Sequence, residues 1–129
     1  MPAIDVDKFT DHLREKADKS GYGKGQCALR VREALAAGGY TPSTWPRHAK
    51  DWGSWLLRAG FQTVKVTDLS AYKPLKGDVA VIQATTSSKS GHIQGYDGTS
   101  WISDFVQKRG FWPGPAYRDE TPDYVVYRP

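Results

Sequence analysis

The stretch that decides the reading of this chain is Gly21-Tyr22-Gly23-Lys24-Gly25-Gln26-Cys27-Ala28-Leu29-Arg30-Val31-Arg32-Glu33-Ala34-Leu35. A glycine-rich approach runs into a strongly helical segment, and Cys27, the single cysteine of the chain, stands at the junction. Ala28, Val31 and Leu35 share one helical face, and Gly38-Gly39 supply the stop. The first turn of a helix presents unpaired backbone N–H groups and the positive end of the dipole. Both favour thiolate over thiol, so the position predicts a nucleophilic cysteine. The same N–H groups could bind the oxyanion formed when sulfur attacks a carbonyl.

A lone cysteine is most often a small buried hydrophobe, so Cys27 needs partners before it carries chemistry. His92 follows a strand-like run 65 residues downstream, and Asp104 lies on the next strand. A cysteine and a histidine joined by the fold, with a third group to orient the ring, form an activated nucleophile. The segment 92–96, the Asp97-Gly98 turn signal and the return 101–105 predict a hairpin. A three-residue turn places His92 opposite Asp104, and a two-residue turn places it opposite Ser103. We favour Asp104, because a carboxylate fixes the imidazole tautomer and stabilises its positive charge. The chain has no asparagine, and Gln107 is the second choice for this role.

Outward from these motifs, residues 5–20 predict an amphipathic helix through Phe9, Leu13 and Ala17, stopped at Gly21. A loop over 40–47 precedes a third helix with Ala49, Trp52, Leu56 and Ala59 on one face and Gly60 at its end. Residues 61–66 predict a short strand. Val79-Ala80-Val81-Ile82 has the apolar density of a central strand. The low-complexity run 84–91 predicts a mobile surface loop, Trp112-Pro113-Gly114-Pro115 a linker, and Tyr124-Val125-Val126-Tyr127 a closing strand. Helices first, then a small antiparallel sheet, is an α+β layout. At 129 residues one domain over 1–129 is expected.

The composition is that of a soluble globular chain, with 39% hydrophobic and 25% charged residues. No apolar run reaches the ~20 residues needed to span a bilayer. The N-terminal segment lacks the basic and apolar regions of a secretory signal peptide. One cysteine makes no internal disulfide, and His12, His48 and His92 are scattered, so no metal site is expected. His12 reads as a solvated surface residue, and His48 as part of a helix start. Trp45 and Trp55 fall off the third helix's apolar stripe, and Trp55 is the candidate for lining a substrate cleft. The net charge of +4 suits anionic surroundings, but the cations are dispersed and no nucleic-acid motif is present.

Gly25-Gln26-Cys27-Ala28-Leu29-Arg30-Val31, Lys76-Gly77-Asp78-Val79-Ala80-Val81, and Gly91-His92-Ile93 followed by Trp101-Ile102-Ser103-Asp104-Phe105 together resemble CHAP-type and related papain-like peptidoglycan amidases. The compact form is similar to amidase effectors delivered by type VI secretion. The resemblance runs from about Gly21 to Gln107. It implies a papain-like α+β fold and hydrolysis of an amide bond in peptidoglycan peptides. Cys27 would be the nucleophile, His92 the general base and then acid, Asp104 the orienting residue, and Tyr22 a lining residue of the cleft. The mechanism implied needs no cofactor. The partners implied are a peptidoglycan peptide, a delivering secretion machinery and an immunity protein, with the protein expected to act as a monomer in the periplasm of a target bacterium. Two other readings share these residues. One is a papain-like deamidase, protease or acyltransferase toxin acting on a protein; the other is a non-catalytic basic module binding nucleic acid or wall polymer.

Overall fold

A computed structural model of the chain describes residues 4–18 and 25–129. Helix α1, Val6–Lys16, is capped by Asp5, whose carboxylate accepts the Lys8 N–H at 3.0 Å. Its face of Phe9 and Leu13 is fully buried against helix α2, Cys27–Ala37. The helix ends earlier than the periodicity predicts. Ala17 turns extended, and the Asp18 N–H is captured by the Asp104 carbonyl at 2.7 Å, so the chain leaves the helix to bridge a strand corner. The predicted stop at Gly21 lies outside the described residues.

Helix α2 begins at Cys27 itself and buries Val31, Ala34 and Leu35. Each fully buried Leu or Val is worth ~1.5–3 kcal/mol over its exposed state, so this face fixes how the helix lies. A 3-10 turn, Ala49–Asp51, leads into α3, Gly53–Arg58, with Trp52, Leu56 and Ala59 inward as expected.

The strands are β1, Gln62–Val64; β2, Val79–Ile82; β3, His92–Tyr96; β4, Trp101–Ile102; β5, Val106–Gln107; and β6, Tyr124–Arg128. They form one antiparallel sheet in the order β1-β6-β2-β3-β4-β5. β2 is central, as its uninterrupted apolar run predicts, and all of its residues are buried. Phe9, Leu13, Val31 and Leu35 pack with Val79, Val81, Ile93 and Ile102 in the main core, while Ala80, Trp101 and Val126 anchor a second cluster with Tyr96, Phe111 and Tyr124. Helices preceding an antiparallel sheet, with a cysteine-bearing helix against a histidine-bearing strand, make this a papain-like α+β fold.

Three expectations are corrected. The β3–β4 turn spans four residues, 97–100, because the Asp97 carboxylate accepts N–H bonds from Thr99 and Ser100 at 2.9 and 2.7 Å and holds the longer turn. Tyr96 therefore pairs with Trp101, and neither Asp104 nor Ser103 falls opposite His92. The run 84–91 is pinned rather than free. Thr86 bonds both oxygens of Glu120, Tyr117 donates to Ser88, and Lys50 N–H donates to the Ser90 carbonyl. Finally, a fourth helix, α4, Pro115–Glu120, which the sequence did not predict, begins at the last residue of the 112–115 linker; Pro115 takes a first-turn position, where its missing N–H costs nothing.

Below β2 lies a buried anchor. Asp78 is fully buried and accepts two guanidinium bonds from Arg128, at 2.8 and 2.9 Å, and one from the Tyr72 hydroxyl at 2.6 Å. This explains Asp78 in the Lys76-Gly77-Asp78 motif: it ties the start of β2 to the end of β6.

Candidate active site

Cys27 occupies the first helical position of α2, with Gln26 as the capping residue and Gly25 at φ +75°, in the left-handed region that glycine enters without steric cost. His92 opens β3 directly after Gly91. A side chain at Gly91 would meet the Ile82 carbonyl at 2.5 Å and the Lys50 side chain at 2.7 Å, so only glycine lets the histidine strand seat this closely. Cys27 and His92 line one cleft of about 700 Å³, together with Gly25, Gln26, Asp104 and Tyr117.

The imidazole is buried, with 7% of its residue surface exposed. Its Nε2 lies 3.0 Å from Gln107 Oε1. The Gln107 amide is itself fixed, since its Nε2 donates to the Gly110 and Phe111 carbonyls at 3.0 and 3.2 Å. With its NH₂ end committed, Gln107 can only accept from the ring. His92 Nε2 must then carry the hydrogen, and Nδ1 is left as the basic nitrogen. Gln94 on the same strand donates to the same Phe111 carbonyl at 2.9 Å, so one backbone oxygen orients both amides.

Asp104 sits at the tip where β4 folds back into β5, the two strands pairing Ile102 with Val106. Its Oδ2 accepts the Gln26 N–H at 3.1 Å, and its carbonyl accepts the Asp18 N–H. It thereby joins the end of α1, the start of α2 and the strand corner, while facing the cleft. Gln107, the second choice from the sequence, is the residue bonded to the ring.

The charge state differs from the sequence expectation. Burial pushes the Cys27 thiol up, and the Asp104 charge adds to that, whereas N–H groups of Ile93, Ala28 and Cys27 pull it down without prevailing. Burial also lowers His92 to about 4, against smaller opposite effects from Gln107, Asp104 and Gln94. Both shifts favour the uncharged forms, a thiol and a neutral imidazole, in place of the thiolate expected from the sequence. The helix N-terminus acts as expected in sign, but desolvation outweighs it.

Trp55, the other candidate lining residue, is absent from the cleft wall. Its indole N–H donates to the Thr44 carbonyl at 2.8 Å, and its ring packs beside Trp52 and under Arg58. Tyr22 lies outside the described residues. Sequence reasoning missed Tyr117, whose ring lies 5.8 Å from that of His92 and whose hydroxyl holds Ser88. It missed Gln94 as well, although the alternation His92, Gln94, Tyr96 along one strand face was a usable signal. Among the described residues no cluster of three His, Cys, Asp or Glu side chains could hold a metal ion. Nor is any helix among them long and apolar enough to cross a membrane.

No family model matches the chain, and no curated protein matches it by sequence. Solved structures do. The chain is 40% identical to a chain of the native type VI effector–immunity complex Tae3–Tai3 from Ralstonia pickettii, with a TM-score of 0.84 over 95% of this chain and 97% of that one. The selenomethionine form of that complex matches at 40% identity and a TM-score of 0.82, covering 94% of this chain and 99% of the other. A structure of the effector Tae4 from Salmonella typhimurium with the immunity protein Tai4 from Enterobacter cloacae shares the fold at 13% identity, with a TM-score of 0.64 over 97% and 98% of the two chains.

Proposed function

Because this chain belongs to the Tae3 family of type VI effectors, we propose that it is an antibacterial cysteine amidase that hydrolyses an amide bond in peptidoglycan peptides. The observation that carries the reading is the cleft that Cys27, at a helix N-terminus, and His92, its tautomer set by Gln107, line together. In this reading Cys27 Sγ attacks the amide carbonyl carbon as its proton passes to His92 Nδ1. A neutral imidazole is the form able to take that proton, and at neutral pH a lowered histidine holds it. The tetrahedral oxyanion is met by first-turn N–H groups of α2, which have no acceptor within the helix. His92 then protonates the departing amine and the C–N bond breaks, leaving a thioester. Water, deprotonated by His92, attacks the thioester and releases the carboxylic acid and the free thiol.

Gln107 orients the ring, and Asp104 holds the helix tip against the strand corner and lends its charge to both catalytic groups. No cofactor enters any step. The effector kinship supports delivery by a type VI apparatus to the periplasm of a target cell, and an immunity protein that protects the producer. Mass spectrometry of muropeptides after digestion with wild type and Cys27→Ala tests substrate, bond and nucleophile together. New fragments with wild type alone are expected. An unchanged wall together with Cys27-dependent modification or cleavage of a protein would point to a protein substrate instead.

A further inference from the structure

We infer that Arg47 and Lys89 form a carboxylate-binding subsite in the cleft, by which the site selects peptides with a free carboxylate close to the amide that is cut. The inference rests on the hydrolase reading above and names specificity-determining residues for that site. Both cations line the cleft that holds Cys27 and His92, and both are exposed. Among the described residues, the ion pairs engage Arg14, Arg30, Lys76 and Arg128, and neither Arg47 nor Lys89 takes part in any of them.

Their shared position is built into the fold. His48 Nδ1 lies 3.0 Å from Ser90 Oγ, and the Lys50 N–H donates to the Ser90 carbonyl at 3.0 Å. Those bonds lace the residue after Arg47 to the residue after Lys89, which brings the two cations to the same part of the wall. The segment carrying Lys89 is further held by the bonds of Thr86 to Glu120 and of Ser88 to Tyr117. Asp104 is the one carboxylate among the described lining residues, and it belongs to the part of the rim formed with Gly25 and Gln26. The cleft is thus polarised, with cations by the 47–50 and 88–91 segments and an anion by the helix tip.

A guanidinium offers a planar fork to a carboxylate, and an ammonium beside it adds a mobile point charge. A substrate with a neutral amide in place of that carboxylate would leave both cations without a partner. The +4 net charge adds a long-range attraction of the same sign.

The test uses two synthetic branched peptides that differ only in whether the carboxylate nearest the scissile amide is free or amidated. Wild type should cleave the free acid with kcat/KM higher by roughly tenfold or more, the size expected of a charge-assisted contact at an accessible site. In Arg47→Gln/Lys89→Gln, checked for native fold by circular dichroism, that ratio should fall close to one, and added salt should shrink the wild-type preference. Equal cleavage of both peptides by wild type, or a preference that survives in the double variant, overturns the subsite alone. If wild type cleaves neither peptide nor isolated peptidoglycan, the hydrolase reading fails and the subsite fails with it.

Discussion

Lowering the pH from 7 to 4 should weaken the fold and halve the activity of the site through one side chain, His92. Its imidazole is lowered from the ordinary 6.5 to about 4, first because it is buried. Between those two values the unfolded chain binds a proton that the folded chain refuses. Folded stability therefore rises with pH across this window; it is fully present above 6.5, declines as pH falls, and levels off below about 4. A gap of about 2.5 units at 1.36 kcal/mol per unit makes the loss about 3 kcal/mol, a large share of the 5–15 kcal/mol that holds a typical domain together. Carboxylates contribute their own acid sensitivity, so the assay is a difference. Urea unfolding at closely spaced pH values is compared between wild type and His92→Gln, and the wild-type curve should carry an extra slope between pH 6.5 and 4. The same protonation removes the base, so wild-type kcat/KM should stay level through pH 6.5 and fall by half near pH 4. Superposable stability curves for the two proteins, or half-loss of activity close to 6.5, would refute the buried neutral imidazole.

Three further outcomes follow from other contacts. Gln107→Leu removes the acceptor that places the hydrogen on His92 Nε2, and losing one such buried bond, ~1–3 kcal/mol, should lower kcat/KM by ~5–150-fold; Gln107→Glu should keep much of the activity and move its acid limb upward, because a carboxylate favours the charged ring, and steady-state pH profiles read both. Because burial pushes the Cys27 thiol up, a small alkylating probe should label it slowly at pH 7 and faster above pH 9, as mass spectrometry of the labelled protein would show; rapid labelling at pH 6 would indicate a resting thiolate. Arg128→Met strands the fully buried Asp78 carboxylate without its two guanidinium bonds and should cost ~3–5 kcal/mol, read as a fall in the urea midpoint.

Much of the fold was legible because its signals are local and dense. Helix α2 starts at Cys27 because Gly25 supplies the left-handed turn and Val31 and Leu35 supply the buried face, all within one short stretch. β2 is central because four consecutive apolar residues can be satisfied only between two neighbours, which β3 and β6 provide. What escaped depends on side chains acting on backbone. Asp97 folds its carboxylate over two N–H groups and lengthens the β3–β4 turn, shifting every pair beyond it. Pro115 looks like a linker residue beside Pro113 and Gly114, yet it serves as the first turn of α4 and thereby places Tyr117 over the cleft. Trp55 is off the apolar stripe, as read, but an indole N–H with a nearby carbonyl prefers that bond to open water.

The charge state of the site was the least legible feature, because it is set by a competition whose terms lie on different segments. A helix tip acts on Cys27 from its own neighbours and can be read in order along the chain. Burial comes with segments such as the strand corner at Asp104 and Tyr117, which line the same cleft more than sixty residues from Cys27, and it acts on both thiol and imidazole. Desolvation opposes the charged form of each partner, so the same packing that raises the thiol lowers the ring. In the proposed reaction, a pair shifted in these opposite senses would keep its proton on sulfur until a carbonyl arrives to receive the electrons. The first-turn N–H groups would then be worth most to the oxyanion of the proposed tetrahedral intermediate, since burial overrides their pull on the sulfur. Gln107 serves this arrangement better than a carboxylate in the same place, because a neutral acceptor fixes the tautomer without restoring the positive charge on the ring that burial has taken away.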